Sequence, residues 1–295
     1  MMGENIFNKV KMNIFYILNN LTKYVIPIKV KSIDVSIDTL LRGRMSLARF
    51  GDGELAIMNG RNIGFQDSTL ELKEKLKYII RAEDNNFMVA IPGPLKEIDS
   101  NFTEYAKTCW ENHLQDGRIS WIKYIKLRKE YYNALLTRFY MDYNNKENTV
   151  KWIGNIKKLW SNREIVIIEG DESKLGIGND LFADTKSIKR ILAPSKNAFS
   201  KYDEILNVVK KNISKDKLIL IALGPTATVL AYDLFKLGYQ AIDIGHIDIE
   251  YEWYLRGATE KIKIPNKFVN EVSGGEEEIN SKLDVCSHEV LTIIR

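Results

Sequence analysis

The chain has 295 residues, enough for one large α/β domain or two small ones with a substantial core. Its apolar fraction, 45%, is ordinary for a globular protein, and a net charge of +4 is too mild for a dedicated nucleic-acid binder. That charge suits anionic substrates or an anionic membrane surface. Two cysteines, Cys109 and Cys286, lie far apart with no Cys/His cluster. This argues against a disulfide framework or a zinc site and for a reducing, cytoplasmic setting.

No apolar run approaches the roughly 20 residues that span a membrane, and no signal-peptide core precedes a cleavage site. An amphipathic stretch over 6–26 mixes Phe7, Val10, Ile14, Phe15 and Ile17 with Lys9, Lys11 and Lys23, and Pro27 ends it. It reads as a helix packed on its own domain, or as a peripheral membrane contact. A helix over 36–41 and a strand over 45–48 come next, and the strand runs into Arg49-Phe50-Gly51-Asp52-Gly53-Glu54. Residues 55–58 begin a short helix. Ser68 or Thr69 caps a further helix, with Leu72, Leu76, Ile79 and Ile80 at helical spacing. A buried strand over 87–91 stops at Pro92-Gly93-Pro94. Residues 101–136 read as mostly helical, and 135–139 as another strand.

From there the alternation is regular. Helix residues Ile153, Ile156 and Leu159 lead to a strand over 165–168, a glycine-bearing loop over 169–178 and a short helix near 179–182. A strand over 188–192, a helix over 202–211, a strand over 218–223, a helix over 227–237 and a strand over 240–244 follow. The end of the chain reads as a solvated loop around Gly274-Gly275, then a last strand or tail. Continuous apolar strands alternating with helices predict a Rossmann-like α/β fold. Its sheet is mostly parallel, with helices on both faces.

Open parallel sheets bind ligands beyond the carboxyl ends of their strands. Four strand-end segments carry suitable chemistry. In the first, Asp52 and Glu54 can aim hard oxygen ligands at Mn²⁺ or Mg²⁺, the rest of the coordination coming from substrate phosphates. Equally, they can simply cap the following helix. Arg49 beside them suits a phosphate or pairs with those acids. In the second, Gly224-Pro225-Thr226 opens a helix whose free N–H groups attract phosphate; it also reads as an ordinary strand–helix turn with Pro at the first helical position. The third is the loop with Ser173, Lys174, Gly176, Gly178 and Asn179, long enough to suggest a role in holding phosphate or sugar. In the fourth, His246, Asp248 and Glu250 share one face if the segment stays extended, and one of them can serve as general base. Trp110, Trp121 and Tyr251 read as core residues or as stacking platforms.

Five segments resemble the bacterial GT-D-type glycosyltransferases, and they do so in order. They are Ser46–Glu54, the loop Glu169-Gly170 to Gly176-Ile177-Gly178-Asn179-Asp180-Leu181-Phe182, Asn197-Ala198-Phe199 with Tyr202, Gly224-Pro225-Thr226, and the stretch from Gly238 to Trp253. The resemblance covers about 41–270. It implies a UDP-sugar donor, often UDP-glucose, and a divalent metal, Mn²⁺ or Mg²⁺, on the Asp-x-Glu pair Asp52 and Glu54. From the strand-end segments, the donor site is expected to draw on Arg49, Gly51, Gly53, Ser173, Gly176, Gly178, Asn179, Gly224, Pro225 and Thr226. The acceptor would be a glycan or glycoprotein in surface polysaccharide or glycoprotein synthesis. On this division 1–40 is an N-terminal helical extension, 41–270 the catalytic domain and 271–295 its tail. The protein is expected in the cytoplasm, at most peripheral at the membrane, with no nucleic-acid partner and with homo-oligomers compatible. A metal-dependent nucleotidyl- or phosphotransferase is the rival chemistry, and a non-catalytic nucleotide-sugar sensor or scaffold the rival class.

Overall fold

The computed structural model describes residues 17, 19, 21–267, 269, 271–272 and 287–295. Among the described residues its centre is a sheet of nine strands: β1 (Lys29–Val30), β2 (Ser46–Arg49), β3 (Phe87–Ile91), β4 (Glu130–Asn133), β5 (Glu164–Gly170), β6 (Ser187–Ala193), β7 (Leu218–Ala222), β8 (Gln240–Asp243) and β9 (Val290–Ile293). They lie in the order β1-β4-β3-β2-β8-β7-β5-β6-β9, and every pairing is parallel. The expected α/β architecture is therefore present, with a sheet that is wholly parallel. Alternate strand residues feed two separate cores. Ala48, Val166 and Ile168 face one, while Leu47, Ile165 and Ile167 face the other.

Helices cover both faces. α1 (Ile33–Arg42), α5 (Glu147–Lys157) and α8 (Ile247–Leu255) bury residues in one core. α2 (Asp52–Met58), α3 (Leu70–Ile79), α6 (Tyr202–Asn212) and α7 (Pro225–Lys236) bury theirs in the other. α4 (Glu104–Tyr124) sends Trp121 and Tyr124 into that second core. Local signals start several of these helices. Ser32 caps α1 by accepting from Val35 N, and Thr69 caps α3 by accepting from Leu72 N at 3.2 Å. α7 is buried on nearly every side, from Pro225 through Tyr232, as expected of a helix laid across the middle of a sheet.

Two expectations are corrected, and one strand is added. The strand expected over 135–139 lies earlier, as β4. Asn133 Oδ1 then accepts from Leu135 N at 3.0 Å and starts a helical turn over Ala134–Thr137, which buries Leu135 and Leu136 without extending the ladder. Residues 179–182 form turns, so β5 and β6 are joined without a helix. A buried pair between these strands, Arg190 to Glu169 at 2.5 Å, crosses their ladder near this connection. β1 was not anticipated. It consists of Lys29 and Val30 only, too short to leave a periodic signal. The expected last strand is present as β9. The amphipathic stretch over 6–26 lies mostly outside the described residues; within it 21–25 are helical, Ile17, Leu21, Tyr24 and Val25 are exposed, and Asn19 is tied to α4.

Leu220 lies fully buried on the central strand β7. Leu220→Ala is expected to cost ~2–5 kcal/mol in urea unfolding. Thr69→Ala removes only a cap and should cost ~1 kcal/mol with an unchanged m value.

Candidate active site

The carboxyl ends of β2, β3, β4, β5, β6, β7 and β8 open onto one cavity of ≈ 590 Å³. Arg49, Gly51, Asp52, Gly53 and Glu54 line it from β2, Asp243 and His246 from β8, and Gly224 and Pro225 from β7. Ser173 and Ser195 come from the β5 and β6 side, and Arg138 from the turn after β4.

Arg49 is the hub. Its Nη2 meets Asp243 Oδ1 at 3.0 Å, its Nε donates to the Asp243 carbonyl at 2.9 Å, and its Nη1 donates to the Ala134 carbonyl at 3.3 Å. Sequence reasoning offered phosphate, Asp52 or Glu54 as its partner; the structure gives it Asp243. The pairing was hidden because β2 and β8 are neighbours in space while nearly two hundred positions apart in sequence. Gly245 makes room for it. Its backbone is left-handed, φ +45°, and a Cβ there would lie 1.6 Å from Arg49 Nη2.

Asp52 is the first residue of α2 and is exposed to the cavity. Two turns of chain chemistry meet at Glu54, whose Oε2 accepts from Gly51 N at 2.7 Å and closes the helix start. The capping role left open by the sequence is thus real for Glu54. Burial, with the Asp243 carboxylate nearby, pushes its carboxyl up to about 7, so it lacks a compensating positive charge. That is the environment of a carboxylate suited to a cation. Among the described residues no group of three or more His, Cys, Asp or Glu is placed to hold a metal alone. Asp52 and Glu54, both lining the cavity, are a donor set that would fit a metal completing its shell with other oxygens.

The segment expected to be extended after β8 is the helix α8, so His246, Asp248 and Glu250 do not share a face. The left-handed Gly245 turns the chain, and the buried acids find partners elsewhere in the fold. Asp248 Oδ1 accepts from Gly176 N at 2.9 Å and Asn179 Nδ2 at 2.8 Å, and its Oδ2 meets Lys267 at 2.7 Å. Glu252, one turn on, shares Asn179 and Lys267. Glu250 Oε2 accepts from Tyr140 N at 2.9 Å and Met141 N at 3.0 Å, and Glu250 is not among the cavity-lining residues. Its Oε1 is buried with no hydrogen-bond partner among the described residues, and burial pushes its carboxyl up to about 7.

His246 and Asp248 both line the cavity, and of these His246, just before α8, is half-buried while Asp248 is buried. Burial and then the Arg138 charge push its imidazolium down to about 4, so the ring is neutral at physiological pH. Arg138 is itself held by Glu271, at 2.5 and 3.3 Å, and Lys261 meets the same carboxylate at 2.5 Å. Against the opposing effect of burial, Arg138 holds Glu271 far below the usual carboxylate range. Glu271 and Lys261 had no sequence signal. Both lie in an irregular segment whose importance comes only from where it folds.

The remaining expected donor residues divide. Gly224 and Pro225 line the cavity, Gly224 with φ +53° and Phe65 packed where its Cβ would be. Thr226 is buried one step behind, donating to Gln66 Oε1 at 3.2 Å. Ser173 lines the cavity; Gly176, Gly178 and Asn179 do not, and Gly176 and Asn179 hold the loop on α8 through Asp248.

Glu250 should give the fold a pH dependence. Its folded pKa is raised, so the stability it contributes is full below its ordinary value of 4.5 and is lost as pH rises through about 7. Glu250→Gln mimics the protonated acid and should flatten part of that fall, read as urea midpoints across this range. A second expectation concerns Gly245→Ala, which should expel Arg49 from its seat and appear as a lowered melting temperature.

A sequence model described as the glycosyltransferase GT-D fold matches residues 47–272. The chain is 39% identical over 247 residues to a probable glycosyl transferase, Gly, of Streptococcus gordonii, covering 83% of this chain and 36% of that protein. It is 38% identical over 245 residues to the glycosyltransferase GlyD of Streptococcus pneumoniae, covering 83% of this chain and 30% of that protein. The chain thus spans about a third of the length of these curated relatives. A solved structure of domain of unknown function 1792, described as having a distinct glycosyltransferase fold, superposes with TM-score 0.87 at 37% identity, over 93% of this chain and 98% of that one. A second, described as a new glycosyltransferase from Streptococcus sanguinis, gives 0.85 at 36% identity, over 91% and 100%. The wholly parallel sheet, its ligand-edge cavity and these likenesses agree: the chain belongs to the GT-D-fold glycosyltransferase family.

Proposed function

We propose that the chain is a metal-dependent glycosyltransferase domain that moves a hexose, glucose by preference, from a UDP-sugar to a glycan or glycoprotein acceptor. The observation that carries this is the meeting of Asp52, Glu54, the Gly224-Pro225 helix start and His246 around one cavity. The N-terminus of α7, with its free N–H groups and positive dipole end, suits the diphosphate. Asp52 and Glu54 would hold Mn²⁺ or Mg²⁺, which when bound supplies charge neutralisation for the departing UDP. Ionised Glu54 is the form that takes a cation, so the metal and the proton on Glu54 compete.

His246 is the base in this reading if the reaction inverts. Its neutral imidazole can accept the proton of an acceptor hydroxyl, which then attacks the anomeric carbon as UDP leaves. Asp248 instead spends its oxygens on Gly176, Asn179 and Lys267 and holds the 176–179 loop on α8. The exposed apolar residues Ile17, Leu21, Tyr24 and Val25 favour a peripheral membrane contact near the N-terminus.

Incubation with a panel of radiolabelled UDP-sugars and Mn²⁺ tests the whole reading. Slow release of free sugar and UDP from one donor, abolished by EDTA, is expected. Release of pyrophosphate or inorganic phosphate would point to nucleotidyl or phosphoryl transfer, and binding without turnover to a sensor. Asp52→Ala and Glu54→Ala should each abolish metal-dependent turnover with the fold intact; near-normal rates in either would remove the metal assignment. His246→Ala should lower kcat by ~10²–10⁴-fold while donor affinity holds. Asp248→Ala should show itself mainly as lost stability.

A further inference from the structure

The strand order divides the cavity into two halves. Proceeding along the sheet edge, the lining residues come from β4, β3, β2, β8, β7, β5 and β6 in turn. The Asp52–Glu54 turn and His246 stand at the middle, on β2 and β8. On one side lies the α7 N-terminus, the natural seat of a diphosphate. The opposite side, above β3 and β4, is walled by α4 and by the irregular segment carrying Lys261 and Glu271.

The α4 wall is unusual in its surface. Tyr105, Cys109 and His113 fall one turn apart, with Trp110 beside them, and all four line the cavity. Tyr105 is 68% exposed and Trp110 half-buried, although large aromatic side chains ordinarily stabilise a fold by being covered. Trp110 is steadied by an edge contact with the His113 ring, centroids 5.5 Å apart. His113 Nε2 in turn accepts from Trp121 Nε1 at 3.0 Å, which ties the wall to the core. Charged groups rim it: Asp142, Lys261 and Glu271 line the same half. Flat apolar faces with a polar rim are what a pyranose ring needs. One face of the sugar presents C–H groups, and its edge presents hydroxyls that must be hydrogen-bonded when water leaves.

Resting on the glycosyl-transfer reading above, we propose that this half of the cavity is the acceptor subsite. It binds a pyranose ring of the acceptor, stacked on Tyr105 and Trp110, with its hydroxyls taken by Asp142, Lys261 and Glu271. A sugar seated there has its edge toward His246, which stands between the two halves. The donor and acceptor then approach from opposite sides of the Asp52–Glu54 turn, and neither must pass the other.

The test is saturation-transfer NMR on the full chain with methyl β-D-glucopyranoside, methyl β-D-galactopyranoside and N-acetyl-D-glucosamine as probes. At least one pyranoside should give signal on its ring C–H protons, and the signal should persist when UDP and Mn²⁺ are added. In Tyr105→Ala/Trp110→Ala the pyranoside should bind about tenfold more weakly while UDP affinity stays at the wild-type value. Tyr105→Ala alone, at an exposed position, guards against misfolding and should show a smaller loss of the same kind. Displacement of the pyranoside by UDP would overturn the proposal, since the aromatic wall would then hold the uracil. Undiminished signal in the double variant, or no signal with any probe, would overturn it too. Failure of UDP to bind the wild type, with pyranosides still bound at the wall, would sink the donor reading and leave the carbohydrate wall standing.

Discussion

The site depends on the pairing of Arg49 with Asp243. Both charges are largely withdrawn from water, and such a pair is tolerated only when geometry and further hydrogen bonds satisfy each partner. Here they do. The guanidinium reaches a carboxylate and a carbonyl on β8 and a second carbonyl on the turn after β4, so one side chain ties together three segments that diverge in sequence. Thr228 Oγ1 of α7 donates to the Arg49 carbonyl at 2.9 Å and adds a fourth. The pair also sets the local field. Asp243 is a neighbour of Glu54, and without Arg49 the Asp52–Glu54 turn would face a bare buried carboxylate.

From that hub the two sides of the cavity acquire different characters. The β7 side is built from backbone: a left-handed glycine, a proline and the N–H groups of a buried helix. Such a surface is rigid and recognises charge more than shape. The α4 side is built from side chains, aromatic and charged, which can be exchanged without disturbing the sheet.

Much of this was legible in the sequence. The strands over 87–91 and 218–222 are continuous apolar runs closed by Pro or Gly, and the helix after Gly224 starts where its proline says it should. The Asp52–Glu54 turn was legible as a site candidate from its residue types alone. What failed did so for identifiable reasons. Residues 247–253 alternate apolar and acidic residues, the pattern of a half-buried strand, yet they form α8. The helix wins because Lys267 and Asn179, distant in sequence, compensate Asp248 and Glu252 one turn apart. Local periodicity has no access to such partners. The same holds for Asp243, Glu271 and Lys261, each ordinary in its own stretch and placed at the cavity by the fold.

The sheet's two margins have a consequence for association between molecules. Its outermost strands are β1, Lys29–Val30, and β9, Val290–Ile293, and each offers only a short row of unpaired backbone groups. Long bare margins invite another chain to add on as an extra strand, and brief ones give such a chain little to grip. Short margins of this kind give a second chain little backbone to pair with.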